Sequence, residues 1–256
     1  MGRLSGKIII TTQPADQADE MLALLRKEGA DALNLPMIAT QNLQIADTEI
    51  RKILEPGKFQ HILFTSKKGV KGFFHNLLRV QGNYTLPSGI KISVVGPGTA
   101  ASLAEFGHTP HFVNPGNHAR DMANYLLHKK IIHRNENVCL ALGNRAPDFL
   151  EEALGQIAGV HRINVYKTLS LAAEDENTER IVRAGEAHMC IFTSPSAFAS
   201  FLDSFAEINY LALASIGQTT AQFIQSRGYE VAVTAPKPSP AALVEAIADF
   251  YQNLKK

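Results

Sequence analysis

A chain of 256 residues, 45% of them hydrophobic and 19% charged, has ordinary globular composition and is long enough for two domains of about 100–150 residues. Its formal net charge of +1 excludes the overall basic field that would predict nucleic-acid binding. No run approaches the roughly 18 apolar residues of a membrane span, and the first apolar stretch is too short for a signal peptide. We therefore expect a soluble, cytoplasmic protein with no membrane partner.

Short apolar runs recur along the chain and predict β-strands. In chain order they span residues 7–12, 61–66, 91–96, 138–143, 189–194 and 211–217. Most lack polar alternation, which indicates parallel sheets covered on both faces. Amphipathic segments such as 18–30 and 146–159 follow the runs, so the pattern predicts βαβ units and the α/β class. Cys139 and Cys190 lie inside such runs, which favours buried core thiols over a disulfide.

An internal repeat gives the domain organisation. The phrase Phe-Thr-Ser occurs at 64–66 and at 192–194, an offset of 128. Just downstream, residues 95–126 align with 216–247 at a constant offset of 121 without a gap. A weaker match relates 8–36 to 138–166, so this third piece comes first in one copy and last in the other.

The shifted order predicts two similar parallel-sheet α/β domains of flavodoxin-like type. One is continuous, over residues 38–168, and the other is discontinuous, from 1–37 plus 169–256. The chain then crosses between domains near 36–41 and near 166–171, which predicts a two-stranded hinge. We expect a ligand cleft between the domains, because such clefts are favoured binding sites.

Candidate ligand residues follow the predicted strands, because ligands of open parallel sheets bind outside the carboxyl ends of the strands. The turns there are rich in glycine and hydroxyl groups at helix starts, where exposed N–H groups suit carboxylate or phosphate. Ordinary helix capping by serine or threonine is the alternative interpretation of each turn. The candidates are Thr12, Gln13, Thr65, Ser66, Lys67, Gly98, Thr99, Asn144, Arg145, Thr193, Ser194, Ser196, Gln218, Thr219 and Thr220.

Recognisable catalytic motifs are scarce. The sequence has no G-x-S-x-G nucleophile elbow and no G-x-x-x-x-G-K-[ST] phosphate loop. Residues 96–101, GPGTAA, fit a loose dinucleotide pattern that the repeat partner lacks. His108 and His111 have no accompanying ligand, so we expect no metal site. A small cluster of Lys67, Lys68 and Lys71 is either a solvated face or an attractor of acidic ligand.

Five stretches together resemble the uroporphyrinogen-III synthase family, in order and over nearly the whole chain. They are ILFTSKKGVKGF, SVVGPGTAASLAEFG, INVYKTL, IFTSPSAFASF and ASIGQTTAQFIQSRGYEVAVTAPKPSPAALVEAI. The resemblance implies two α/β domains joined by a two-stranded linker. It also implies a lyase of haem and sirohaem synthesis that cyclises the linear tetrapyrrole hydroxymethylbilane, inverting ring D through a spiro intermediate, without cofactor or metal.

The resemblance also implies roles for individual residues. Tyr166 matches the cleft tyrosine of the family, which protonates or orients the departing hydroxyl; a phenol is a weak acid at neutral pH, so we expect an assisting role. Thr219 and Thr220 match a threonine pair that holds substrate carboxylates. Gln13 stands where many members have arginine, so a cationic contact is lost there.

Two other functions stay open from the sequence. A non-catalytic two-domain binder or sensor of a small polyanionic ligand would show the same duplication and hinge. A nucleotide-sugar enzyme is the more distant alternative, because the turn after the first strand has no glycine. We expect a monomer, with possible transient contact with the hydroxymethylbilane synthase that makes the unstable substrate.

Overall fold

The computed structural model describes residues 2–114 and 119–254, so residues 115–118 of the repeat segment lie outside the described part. The chain divides into two compact units. The first unit consists of residues 1–40 and 169–256, and the second of residues 41–168.

The described residues form strands alternating with helices, as the α/β pattern predicts. The strands are β1 (Ile8–Thr11), β2 (Asp31–Asn34), β3 (Ile38–Asn42), β4 (His61–Phe64), β5 (Lys91–Val95), β6 (Phe112–Asn114), β7 (Asn137–Gly143), β8 (Gly159–Ser170), β9 (Met189–Phe192), β10 (Ala212–Ser215) and β11 (Val233–Thr234). The helices are α1 (Asp19–Lys27), α2 (Asp47–Leu54), α3 (Lys67–Gln81), α4 (Gly96–Ala104), α5 (Ala119–His128), α6 (Phe149–Gly155), α7 (Glu176–Arg183), α8 (Pro195–Ser204), α9 (Gln218–Ser226) and α10 (Pro240–Asn253).

Two mostly parallel sheets carry these elements, which confirms the predicted fold class. The first has the order β11-β10-β9-β1-β2 and the second the order β3-β8-β7-β4-β5-β6. If the extra strand β3 is set aside, the two sheets correspond strand by strand. Strands β7 and β8 of the second sheet take the places of β1 and β2 in the first, and β4, β5 and β6 take the places of β9, β10 and β11. The third repeat piece therefore supplies the first strands of the first sheet along the chain, β1 and β2, and the last strands of the second sheet, β7 and β8. This is the shifted order seen in the sequence.

Strand β3 pairs with β8 in the antiparallel sense, unlike the other pairs. The Leu43 N–H donates to the Val165 carbonyl, and the Leu171 N–H donates to the Met37 carbonyl, each at 2.9 Å. Both boundaries between the units fall inside these two strands, between residues 40 and 41 and between 168 and 169.

Each sheet is covered by hydrophobic clusters on both faces, which is why its strands read as continuous apolar runs. In β1, Ile10 packs with Cys190 in one cluster and Ile9 packs in another. In β4, Phe64 and Leu63 likewise belong to different clusters. Successive side chains of a strand point to opposite faces, so neither face of these two strands is left to water.

Candidate site at the carboxyl ends of the strands

The repeated Phe-Thr-Ser phrase forms the same helix start in both units. Ser66 caps α3 and Ser194 caps α8, with nearly identical backbone angles of φ −156°, ψ 155° and φ −156°, ψ 153°. The hydroxyl oxygen of Ser66 accepts from the Gly69 N–H at 3.0 Å, and that of Ser194 accepts from the Ala197 N–H at 3.2 Å. Capping is thus confirmed for both serines, and each hydroxyl proton stays available to donate.

Tyr166 is seated on Gly143 in the second unit. Residues of β7 and β8 pair in register up to Leu142, where an irregularity skips one β8 residue and brings Tyr166 opposite Gly143. A Cβ atom on Gly143 would lie 2.6 Å from Cε2 of the tyrosine ring and 2.7 Å from its hydroxyl oxygen. The absence of a side chain at Gly143 therefore makes room for the ring.

The Tyr166 hydroxyl lies 3.3 Å from Oγ of Ser66. Since Ser66 already accepts from Gly69, its proton can point to the tyrosine oxygen and leave the phenol proton free. The structure thus brings together two predicted site residues that are 100 positions apart in the sequence.

Lys67 and Gly98 are also brought together, at the ends of the neighbouring strands β4 and β5. The lysine side chain lies across the glycine, since a Cβ there would be 2.9 Å from Cε of Lys67. Lys67 is exposed, Thr65 half-buried and Thr99 buried, so the lysine is the most accessible of these three side chains. Lys71 of the same cluster pairs with Glu105 at 3.3 Å.

The turn after β7 carries Asn144 and Arg145, both exposed. The Asn144 N–H donates to the Tyr166 carbonyl at 3.1 Å, and its side-chain oxygen accepts from the Thr168 N–H at 2.9 Å. Arg162 of β8, which the sequence did not single out, donates to the carbonyls of Gly143 and Ala146 in this turn. No local sequence signal marks Arg162, because its partners are brought to it only by the sheet.

In the first unit the turn after β1 is tied to the neighbouring strand. Thr12 is fully buried, and its hydroxyl donates to the Ile191 carbonyl at 2.8 Å. The side-chain oxygen of Gln13 accepts from the Thr11 hydroxyl at 3.3 Å. The side chain of Thr12 is therefore used within the protein, while Gln13 is half-buried.

The two remaining turns of the first unit follow β9 and β10. The hydroxyls of Ser194 and Ser196 lie 3.1 Å apart, and Thr193 is half-buried beside them. Gln218, Thr219 and Thr220 form the first turn of α9. Gln218 and Thr219 are exposed, whereas Thr220 is only 3% exposed.

The polar groups of the described residues offer no metal site. Among residues 2–114 and 119–254, no group of three or more His, Cys, Asp or Glu side chains could hold a metal ion. Within the same described residues, no helix is both long and apolar enough to cross a membrane. Cys139 and Cys190 are free and fully buried, as predicted, and burial raises the pKa of both thiols, which makes them inert.

In each unit, hydroxyl-bearing turns and helix starts lie at the carboxyl ends of parallel strands. This arrangement defines an α/β protein of the open-sheet type, a class whose ligands bind at that edge of the sheet. A family model described as uroporphyrinogen-III synthase HemD matches residues 19–245. The chain therefore belongs to the uroporphyrinogen-III synthase family, as the sequence motifs predict. This family comprises enzymes that cyclise hydroxymethylbilane and need no cofactor.

Two curated relatives are similar to the chain at low identity. The porphyrin biosynthesis protein HemD of Ruminiclostridium josui is 25% identical over 222 residues, which are 86% of this chain and 44% of that protein. A putative uroporphyrinogen-III synthase of Methanocaldococcus jannaschii is 25% identical over 262 residues, covering 97% of this chain and 99% of its own. The chain thus spans less than half of the first relative and nearly all of the second.

Two solved structures share the fold. A mutant uroporphyrinogen III synthase of Thermus thermophilus superposes with a TM-score of 0.69 at 16% identity, covering 96% of this chain and 99% of that one. The uroporphyrinogen-III synthetase of Helicobacter pylori gives 0.61 at 19% identity, over 95% and 99%. At these identities the likeness shows the fold alone.

Proposed function

We propose that this chain closes hydroxymethylbilane to uroporphyrinogen III with inversion of ring D. The family match over residues 19–245 carries this proposal. The reaction loses hydroxide to give an azafulvene, forms a spiro intermediate at the substituted carbon of ring D, then reopens and recloses. Since the free substrate closes without inversion, the protein has mainly to hold the chain and select the reacting carbon.

Tyr166 is the proposed catalytic residue. When Ser66 donates to its oxygen, the phenol proton of Tyr166 is free to bind the departing hydroxyl of the substrate. The 3.3 Å separation and the seat on Gly143 support a fixed position for that proton. The role is orienting and assisting, because substrate folding supplies most of the selectivity.

The remaining predicted site residues are proposed to bind the eight substrate carboxylates. Backbone N–H groups at the starts of α3, α4, α8 and α9 offer donors and positive dipole ends. Lys67 adds an exposed cation at one of these starts. Several neutral donors spread over many turns can hold a polycarboxylate on a protein whose net charge is only +1.

The test supplies hydroxymethylbilane to the purified protein and separates the type I and type III product isomers. We expect type III product, with only type I after heat denaturation of the same sample. If the native protein yields only type I, the synthase proposal is wrong. Tight substrate binding without type III product would instead favour the non-catalytic binder.

We further propose a monomeric, cytoplasmic enzyme that contacts the upstream hydroxymethylbilane synthase transiently.

A further inference from the structure

Arg162 is the most heavily engaged cation of the second unit among the contacts described. Its side chain is 14% exposed and lies beneath the turn that follows β7. Nη1 contacts carboxylate oxygens of Asp148 and Glu151, each at 2.7 Å. Nε donates to Oδ1 of Asn164 at 3.0 Å. The third nitrogen, Nη2, donates to carbonyls of the turn, so all three nitrogens of the guanidinium are engaged.

The Nη2 group of Arg162 fixes that turn directly. It donates to the carbonyl of Gly143 at 3.1 Å and to the carbonyl of Ala146 at 3.0 Å. The turn is closed by a further bond, from the Ala146 N–H to the Gly143 carbonyl at 3.0 Å. The five contacts of Arg162 match the five N–H donors of a guanidinium, whereas the ammonium group of a lysine has only three donors and cannot make them all.

The charge of Arg162 is compensated within the protein. Asp148 and Glu151 together supply two carboxylates to one guanidinium, so the arginine is poorly suited to bind a further carboxylate from a substrate. The function of Arg162 therefore depends on the turn to which it is hydrogen-bonded. The turn supplies Gly143, on which the ring of Tyr166 rests, and Asn144, whose N–H binds the Tyr166 carbonyl.

We propose that Arg162 is a positioning residue for Tyr166. By fixing the carbonyls of Gly143 and Ala146, it fixes the backbone on which the tyrosine ring packs, and it thereby keeps the phenol oxygen at 3.3 Å from Oγ of Ser66. The inference rests on the proposed function, since it assigns Arg162 to the same reaction. It makes the ion pairs of Asp148 and Glu151 supports of the site rather than general surface charge.

The experiment compares Arg162→Lys and Arg162→Gln with the native chain. We expect both variants to lower kcat about tenfold or more and to raise KM less than about threefold, because the catalytic group moves while only one of the proposed carboxylate-binding turns, that of Asn144 and Arg145, is disturbed. Arg3→Gln is the matched control, because Arg3 also pairs with several carboxylates, those of Glu28, Glu245 and Asp249, but lies in the other unit. It should lose stability and keep kcat.

A second readout does not depend on activity. The chain has six tyrosines, so ring-labelled tyrosine gives few NMR signals, and Tyr166→Phe assigns the one of interest. That signal should move in Arg162→Lys and Arg162→Gln and stay in place in Arg3→Gln. Native kcat together with an unmoved signal in Arg162→Lys would overturn the inference. If the native chain makes no type III product, the proposed function fails, while the NMR signal still decides the positioning role.

Discussion

Replacing Gly143 with alanine should lower turnover by displacing Tyr166. The new Cβ would lie 2.6 Å from ring Cε2 and 2.7 Å from the hydroxyl oxygen. Carbon atoms in contact prefer about 3.5 Å, so the ring has to withdraw by about 1 Å. The hydroxyl is already 3.3 Å from Ser66 and would lose that hydrogen bond. A displacement of this size costs about 100-fold in kcat, or about 2.7 kcal/mol.

The assay measures kcat, KM and the product isomers for Gly143→Ala alongside its melting temperature. Stability should fall little, because the ring of Tyr166 is only half-buried and can withdraw towards solvent. Gly155→Ala is the control, since a Cβ at Gly155 meets no atom within 4 Å and the residue ends α6. Adding Tyr166→Phe should cost much less in the Gly143→Ala background than in the native chain. Equal costs in both backgrounds, or native kcat in Gly143→Ala, would refute the reasoning.

Three further predictions concern caps, acidity and binding. Ser194→Ala and Ser239→Ala should each lower the free energy of unfolding in urea by about 1 kcal/mol, because each serine caps a helix. Only Ser194→Ala should also raise KM. If the two variants have the same KM, Ser194 does not belong to the substrate site. Burial, opposed by Glu136, lowers the pKa of His61 from its ordinary 6.5, so the unfolded chain binds the proton more readily. Stability should be full above about pH 6.5 and fall below it, with a slope that His61→Leu reduces by at most about 1.4 kcal/mol per pH unit, and an unchanged slope in urea titrations would contradict this. Thr219→Val alters an exposed side chain and should raise KM severalfold within about 0.5 kcal/mol of native stability, whereas lost stability with native KM would leave the side chain a structural role only.

Patterns that depend on local burial could be predicted from the sequence. The run at 189–194 predicts a strand, and β9 covers Met189–Phe192, because a strand buried on both faces has to be apolar throughout. The amphipathic stretch 18–30 predicts a helix, and α1 occupies Asp19–Lys27 within it. The shifted repeat predicts two similar parallel sheets. The two copies of its third piece contain β1 and β7, which occupy equivalent positions in the two sheets.

Features that depend on tertiary register could not be predicted. The irregularity after Leu142 decides that Tyr166, rather than Val165, lies opposite Gly143. No composition or spacing rule reports a one-residue skip in a ladder, because the skip depends on how two separate strands pair and not on the sequence pattern of either strand. The role of Arg162 cannot be predicted for the same reason, because only the pairing of β8 with β7 brings the arginine to its acceptors at positions 143, 146, 148 and 151. The catalytic and binding roles of the predicted residues stay predictions that the assays above address.

The position of β1 in its sheet imposes an order of folding during synthesis. β1 lies between β2 and β9, and the bond from the Ile8 N–H to His188 joins residues 180 positions apart. A ribosome therefore completes residues 41–168 before the first unit receives its central pairing partner. That inner segment is contiguous and carries two hydrophobic clusters of its own, so it can fold while β1 and β2 wait. A nascent chain halted after residue 168 would expose the apolar faces of β1 to aggregation or to chaperones.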